Sequence, residues 1–461
     1  MGKHPPLIRH LQKYLGKERV VLAPEELLTY GYDGSGGDYP PMAVVFPQSR
    51  EEISEILKLA GESETPVIPR GAGSGMCGGA LAVKGGVILA LNRLNRIIEI
   101  DEKNQVAVVQ PGVITGELQG EVARRALFYP PDPASRAFCT IGGNVACGAG
   151  GPSAVKYGVT RDYVIGLEAV LADGRIIRTG VRTAKGVVGY DLTRLLVGSE
   201  GTLAVISEIT LRLIPQPPSR GTFLLLCRDL HLAATLVGEL LKELTPSTLE
   251  YLDRTALNLV SALLPAAAKE GEVGAMLLLE FDGSPDQVAA QGEQLKKFLR
   301  RREGVKLEEA GNQRNAARLW AARRGISPAS FQLRPHKFSD DVVVPRSLIP
   351  QLVACTENLA DKSGLPIFTF GHAGDGNIHV NIMLDRDNPA ELEAATGARD
   401  ALYRRVLELG GTLSGEHGVG MRKSQAIAAE LGPDALKLMR ELKRVFDPKN
   451  ILNPGKIFAE E

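Results

Sequence analysis

Cysteine is scarce and scattered. Cys77, Cys139, Cys147, Cys227 and Cys355 form no CxxC pair, and five is an odd number that cannot complete a disulfide framework. A reducing, cytoplasmic setting is expected. Net charge is also missing: 54 Lys and Arg stand against 54 Asp and Glu, so no global field draws the chain to phosphate backbones or anionic lipid. Nucleic acid is therefore not an expected partner. Long apolar runs are absent too. The longest, around Leu257 to Ala268, is too short to span a bilayer and contains Pro265. The N-terminal stretch places Arg9, His10 and Lys13 among scattered apolar residues, without the continuous apolar core of a secretion signal. No transmembrane helix is expected. With 44% hydrophobic and 23% charged residues the chain has an ordinary globular composition, and its 461 residues suffice for roughly three domains of about 150 residues.

What the chain has in excess is glycine, 51 residues in 461. Seven fall between Gly71 and Gly86 and five between Gly142 and Gly151, as expected of backbone that closes tightly on something. The run Gly73-Ser74-Gly75-Met76-Cys77-Gly78 satisfies GxGxxG after the apolar segment Pro66-Val67-Ile68. A Rossmann loop must open into a helix, however, and here Gly85-Gly86 leads into another strand-like run, Val87-Ile88-Leu89. Successive amides of a glycine-rich turn can still cradle an anion without that helix. The second run, Cys139 to Gly151, is equally poor in bulky side chains and reads as a turn against which a flat ligand could lie.

Periodicity predicts alternating elements: strands at 43–46, 66–68, 87–89, 97–100 and 106–109, and helices at 50–62 and 115–126. Pro215-Gln216-Pro217-Pro218 marks a domain boundary. Beyond it, strand and helix segments alternate as in a split βαβ sandwich, and a last helical segment is expected over 425–446. No internal repeat is visible.

Three of the seven histidines fall in two short polar segments, Gly371 to Asn381 and Ser414 to Gly420. His379 and Asn381 lie two apart on an expected strand and share a face, and a glycine-containing loop could return His372 towards them. With Glu416 this makes a two-His, one-carboxylate set of the kind that leaves metal positions open. Hydrogen-bonded structural histidines fit the same spacing.

The segments Pro69 to Gly75, Pro130 to Ser135, the second glycine run with Lys156-Tyr157-Gly158, and Gly189-Tyr190-Asp191-Leu192 with Gly198 to Thr202 occur in this order. Together they resemble the FAD-binding domain of the vanillyl-alcohol oxidase superfamily, and the downstream segments resemble its D-2-hydroxyacid dehydrogenase branch. The likeness covers about residues 40 to 457. It implies an α+β fold with an N-terminal segment (1–39), an FAD-binding domain (40–216), a ferredoxin-like substrate cap (217–410) and a C-terminal segment (411–461) that completes the active site.

The resemblance further implies noncovalent FAD along Pro69, Gly71, Ala72, Gly73, Ser74, Gly75, Gly78, Gly79, Pro131, Asp132, Ser135, Thr140, Gly142, Gly143, Asn144, Gly150, Gly151, Gly201, Ile206 and Asn453. The first loop lacks the histidine that anchors flavin covalently in some relatives, and Cys77 is its one cysteine. Gly148 departs from the family, which often has a larger polar residue there. A divalent ion, zinc foremost, would sit on His372, His379 and Glu416. His417 would take the hydroxyl proton of a small 2-hydroxycarboxylate while hydride passes to the flavin, with Arg323, Lys337 and Asn381 facing the substrate. Arg324 and Ser327 stand where relatives usually carry an acid and a threonine. No cysteine cluster exists for an iron–sulfur centre, so electrons would leave to a separate quinone, electron-transfer flavoprotein or iron–sulfur subunit. Such an acceptor would allow a peripheral place at the inner membrane face, and the sequence leaves room for a homodimer. Two rival readings are a metal-dependent hydrolase of a phosphorylated substrate and a flavin-binding subunit without catalysis.

Overall fold

The computed structural model describes residues 5–269 and 272–459. They divide into two units. The first takes the chain up to Gly150, Val159–Gln216 and the chain from Glu416 onward; the second takes Gly151–Gly158 and Pro217–Gly415.

The first unit holds two main sheets. In one, Ala43–Val45, Val87–Ala90 and Val67–Arg70 run parallel in that spatial order, with Val20–Val21 antiparallel at the edge. Ala43, Val44 and Val45 are buried on both faces, the pattern of parallel strands covered on each side. Helix Arg50–Glu62 is started by Ser49, whose hydroxyl accepts from the Glu52 amide, and it buries Ile53, Ile56, Leu57 and Ala60. That i, i+3, i+4, i+7 stripe fixes which side faces the core. The other sheet is antiparallel, in the order Ile97–Asp101, Val106–Val109, Val205–Arg212, Val164–Val170, Ile176–Gly180.

Two expectations are corrected here. The glycine run at 139–151 is not a plain turn: Ile141–Cys147 is a helix, capped by the Thr140 hydroxyl on the Gly143 amide and ended by Gly148 at φ 75°. Gly148 thus has a backbone reason to be glycine, because a left-handed C-cap disfavours any side chain. The helix expected over 425–446 is two, Ile427–Leu431 and Pro433–Phe446, because Gly432 takes φ 75° and Pro433 cannot donate to a preceding turn. After Phe446 the chain returns to the parallel sheet, where Leu452 bridges Val67 and the Asn453 amide donates to the Val67 carbonyl.

The second unit is built on one antiparallel seven-stranded sheet. Its first half runs strand Ser219–Cys227, helix Leu230–Glu243, strands Thr248–Asp253 and Ala275–Gly283, helix Pro285–Leu299, strand Val305–Glu309. The spatial order fourth, first, third, second is that of the ferredoxin-like split βαβ fold. The second half repeats the plan with His336–Val343, helix Ile349–Ser363, Ile367–His372, Asn377–Leu384 and helix Pro389–Glu408, in the order second, third, first. Its fourth strand is reduced to a single bridge, Val343 to Thr412. The halves join where Tyr251 and Leu252 pair with Gly371 and Phe370.

Residues opposite one another on antiparallel strands share a face. The register Leu252–Phe370–His379–Asp341 therefore places Glu250, Phe370, His372, His379, Asn381 and Lys337 on one side. Helix Gln313–Ala329, absent from the sequence expectations, covers that side, with Leu319, Ala322 and Ile326 in one apolar cluster with Leu252, Phe368, Phe370 and Met383. On the reverse side Ile382 and Leu384 pack with Ala395 and Ala398 of Pro389–Glu408, a further helix the sequence did not announce.

Candidate functional site

In the first unit a narrow cleft is lined by Pro69, Arg70, Gly71, Leu91, Pro111, Thr140, Gly142, Gly143, Ala146, Gly201, Ala204 and Ile206. Pro69, Gly71, Thr140, Gly142, Gly143, Gly201 and Ile206 are thus brought together. The Arg70 guanidinium is turned away, donating to the carbonyls of Tyr32 and Ala80. The rest of the first loop, Ala72 to Gly79, continues as bends with no helix before Val87, so the GxGxxG run is not a Rossmann turn. Its Cys77 is buried, and burial pushes its thiol well above the ordinary range. That environment does not favour a reactive thiolate.

Several of the expected residues are occupied by the protein itself. Asn144 is buried and donates to the Thr115 hydroxyl at 2.8 Å. The carbonyls of Pro131 and Ser135 accept from Gln119 and from the Phe138 and Cys139 amides, and Asp132 is half-buried beside them. A Cβ on Gly78 would lie 2.5 Å from Met421 Cγ, and one on Gly150 would lie 3.0 Å from Glu416 Oε2. Gly151 belongs to the second unit. Asn453 is buried and donates from Nδ2 to the carbonyls of Gly79 and Glu200 at 2.8 and 2.7 Å. Its Oδ1 has no hydrogen-bond partner among the described residues.

The loop from Glu416 is pinned within the same unit. Cys147 Sγ donates to the carbonyls of Glu416 and His417, while the Val419 and Gly420 amides donate to the Glu200 carboxylate at 2.7 and 2.8 Å. Burial raises the Glu200 carboxyl, and those two amides oppose the rise. The His417 ring keeps 20% of its surface exposed, with Nε2 4.0 Å from Glu416 Oε1.

In the second unit polar groups converge on the covered face of the sheet. Glu250 is wholly buried; one carboxylate oxygen accepts from Arg323 Nε at 2.6 Å and the other lies 2.6 Å from His372 Nδ1. Burial alone would raise this carboxyl, but the Arg323 charge and the hydrogen bonds from His372 and Arg323 outweigh it and hold it below the usual range. Nε2 of His372 lies 3.4 Å from Nε2 of His379. His372 does not arrive on a loop, as the sequence suggested; it ends strand Ile367–His372 and pairs with Asn377 across a hairpin.

Arg323 is 6% exposed, with its guanidinium 4.5 Å from the Phe370 ring centre, and its two terminal nitrogens have no hydrogen-bond partner among the described residues. Asn381 accepts from the Ser339 hydroxyl at 3.0 Å, and its buried Nδ2 likewise has no partner among the described residues. Lys337 Nζ donates to the Ser327 hydroxyl and carbonyl at 2.6 and 3.2 Å, which gives Ser327 a task in this chain. Burial lowers the Lys337 ammonium to about 8. Glu250 and Glu200 were not singled out in the sequence; a lone acid inside the apolar run Leu249 to Leu252 is the signal that could have found the first.

Among the described residues no helix is long and apolar enough to cross a membrane. The cleft fits a dinucleotide in kind: it is walled by backbone, glycine and short side chains, and Asn453 leaves a buried acceptor open beside the first loop.

Residues 41–180 match the family described as FAD binding domain, and residues 216–457 match the FAD linked oxidases, C-terminal domain. The chain is 42% identical over 440 residues to the glycolate oxidase subunit GlcD of Bacillus subtilis, covering 94% of this chain and 93% of that one. It is 35% identical over 455 residues to the D-lactate dehydrogenase of Anaerostipes hadrus, covering 96% of each. Among solved structures, p-cresol methylhydroxylase shares the fold, with a TM-score of 0.83 at 20% identity over 98% of this chain and 96% of that one. The glycine-lined cleft in a vanillyl-alcohol oxidase type fold and the two family matches agree, and the chain belongs to the FAD linked oxidases.

Proposed function

We propose that the chain oxidises a small D-2-hydroxyacid of the glycolate or D-lactate class to its 2-oxoacid, using noncovalent FAD. The relatives named for glycolate and D-lactate oxidation support this reading over the hydrolase alternative. The observation that carries it is Arg323: a buried guanidinium whose Nε is taken by Glu250 and whose two terminal nitrogens are left for an anion. Two parallel N–H groups match one carboxylate.

Pro69, the first loop, Thr140, Gly142, Gly143, Gly201 and Ile206, with Asn453, would hold FAD, which supplies the acceptor for the hydride leaving the substrate carbon. His372, His379 and Glu416 would hold a divalent ion such as zinc, whose charge lowers the pKa of the substrate hydroxyl. The donor chemistry suits it, since imidazole nitrogen and carboxylate oxygen are ordinary zinc ligands. His417 Nε2 takes the hydroxyl proton, a task for which imidazole is the side chain most often used. Arg323 and Lys337 bind the carboxylate, and the open Asn381 amide donates to a substrate oxygen. Electrons leave to a separate acceptor.

The reading is tested with protein reconstituted with FAD and mixed anaerobically with glycolate, D-lactate or D-2-hydroxyglutarate, with and without chelator. At least one substrate bleaches the flavin band, and chelator slows it. A bound flavin that none of them reduces would instead leave a flavin-binding subunit without catalysis.

Lys337 adds a pH signature. With its ammonium lowered to about 8, it is charged at neutral pH and loses its proton as pH climbs through that value. Since kcat/KM reports ionisations of the free enzyme, it should fall above about pH 8. Lys337→Met should start lower and lack that alkaline limb; a limb retained in the variant would assign it to another group.

A further inference from the structure

Strand Thr248–Asp253 carries a wholly buried carboxylate that the proposed reaction leaves without a task. Glu250 holds Arg323 Nε with one oxygen and His372 Nδ1 with the other, each at 2.6 Å. We infer that Glu250 is a positioning residue that sets the carboxylate clamp and the histidine ligand pair together, by fixing the orientation of Arg323 and the tautomer of His372. The inference rests on the proposed roles of those two residues.

The argument is one of donors and acceptors. An ionised carboxylate only accepts, so the His372 nitrogen facing it carries the proton. The neutral ring then bears its lone pair on Nε2, the nitrogen that lies 3.4 Å from His379 Nε2. A histidine ligand commonly spends its second nitrogen on such a carboxylate, which orients the ring and raises its basicity. On the other side, the bond to Nε fixes the plane of the guanidinium, already held over the Phe370 ring, and keeps both terminal nitrogens available.

Glutamine at 250 can satisfy only one partner. Its amide has one accepting and one donating end, so one end must present N–H to a group that is itself an N–H donor. Arg323 cannot change, because its guanidinium does not deprotonate. His372 can, by moving its proton to Nε2 and giving up the lone pair there. The substitution therefore reaches metal affinity through the tautomer and substrate affinity through the lost counter-charge.

The test compares wild type, Glu250→Gln and His372→Ala, each loaded with FAD, by equilibrium dialysis against zinc and by steady-state kinetics. Glu250→Gln is expected to keep its flavin, bind zinc about tenfold more weakly and raise KM for the hydroxyacid about tenfold, with kcat changed less. If His372→Ala binds zinc as wild type does, the metal reading itself fails. If His372→Ala loses zinc while Glu250→Gln keeps both wild-type zinc affinity and wild-type KM, Glu250 is not a positioning residue. A change in KM with zinc affinity untouched would equally overturn the coupling. Should Glu250→Gln fail to fold, the wild type decides: with zinc removed, 15N-labelled histidine spectra are expected to show His372 protonated on Nδ1, and an Nε2 proton would overturn the inference.

Discussion

His417→Ala is expected to keep its FAD and to lose between a hundredfold and ten-thousandfold in the rate of anaerobic flavin reduction by substrate, the range over which general bases contribute. The variant is clean because the backbone around His417 is held by other groups. Cys147 Sγ donates to the carbonyls of Glu416 and His417, and the Glu200 carboxylate accepts from the amides of Val419 and Gly420. Removing the imidazole touches none of these bonds. The Glu416 side chain, 12% exposed, also stays packed by Gly150, whose missing Cβ leaves it room. Added imidazole should recover part of the lost rate if a proton acceptor is what the alanine removed. Reduction at the wild-type rate would free His417 of the role of base and move the search to another group.

What the sequence showed and what it hid follow from the range of the forces involved. Helix Arg50–Glu62 was legible to its ends because Ser49 and the apolar spacing are local signals. His379 and Asn381 share a face for an equally local reason, the two-residue period of strand Asn377–Leu384. Helix Ile141–Cys147 was not legible. Two glycines in its first turn argue against a helix on propensity, and the reason for one of them lies far along the chain: a Cβ on Gly142 would fall 2.5 Å from Pro111 Cβ. Helix Gln313–Ala329 was hidden by charge, since its buried stripe Leu319, Ala322, Arg323, Ile326 contains an arginine whose counter-ion, Glu250, lies on a distant strand. The doubled split βαβ plan of the second unit leaves no repeat in the sequence, because topology needs only a binary pattern that many sequences satisfy. Glu250 itself is invisible to spacing: its meaning comes from a register that pairs Tyr251 with Gly371 and so sets it opposite His372.

Gly75→Val is expected to raise the dissociation constant for FAD about a hundredfold while leaving the melting temperature of the apoprotein unchanged. Most glycines of the cradle cannot give this answer. A Cβ on Gly71 would land 2.3 Å from Thr140 Oγ1, the hydroxyl that caps helix Ile141–Cys147, and one on Gly142 would meet the Pro111 main chain within 3 Å. Those positions are glycine for the protein's own packing, whatever binds beside them. Gly75 differs: it is exposed, its φ is not positive, and a Cβ there would meet no protein atom within 4 Å. A side chain at 75 therefore costs the empty protein nothing in contacts and penalises only a ligand that approaches the main chain closely. An overpacking cost of about 1–3 kcal/mol corresponds to roughly tenfold to a hundredfold in affinity, and a branched side chain against a phosphate belongs at the upper end. Gly120→Ala, in helix Thr115–Ala123 with no neighbour within 4 Å, serves as the control, raising stability by up to about 1 kcal/mol without moving FAD affinity. If Gly75→Val binds FAD as wild type does, the first glycine loop does not face the dinucleotide, and the amides that hold its phosphates must be sought in the cleft between Pro69 and Ile206 instead.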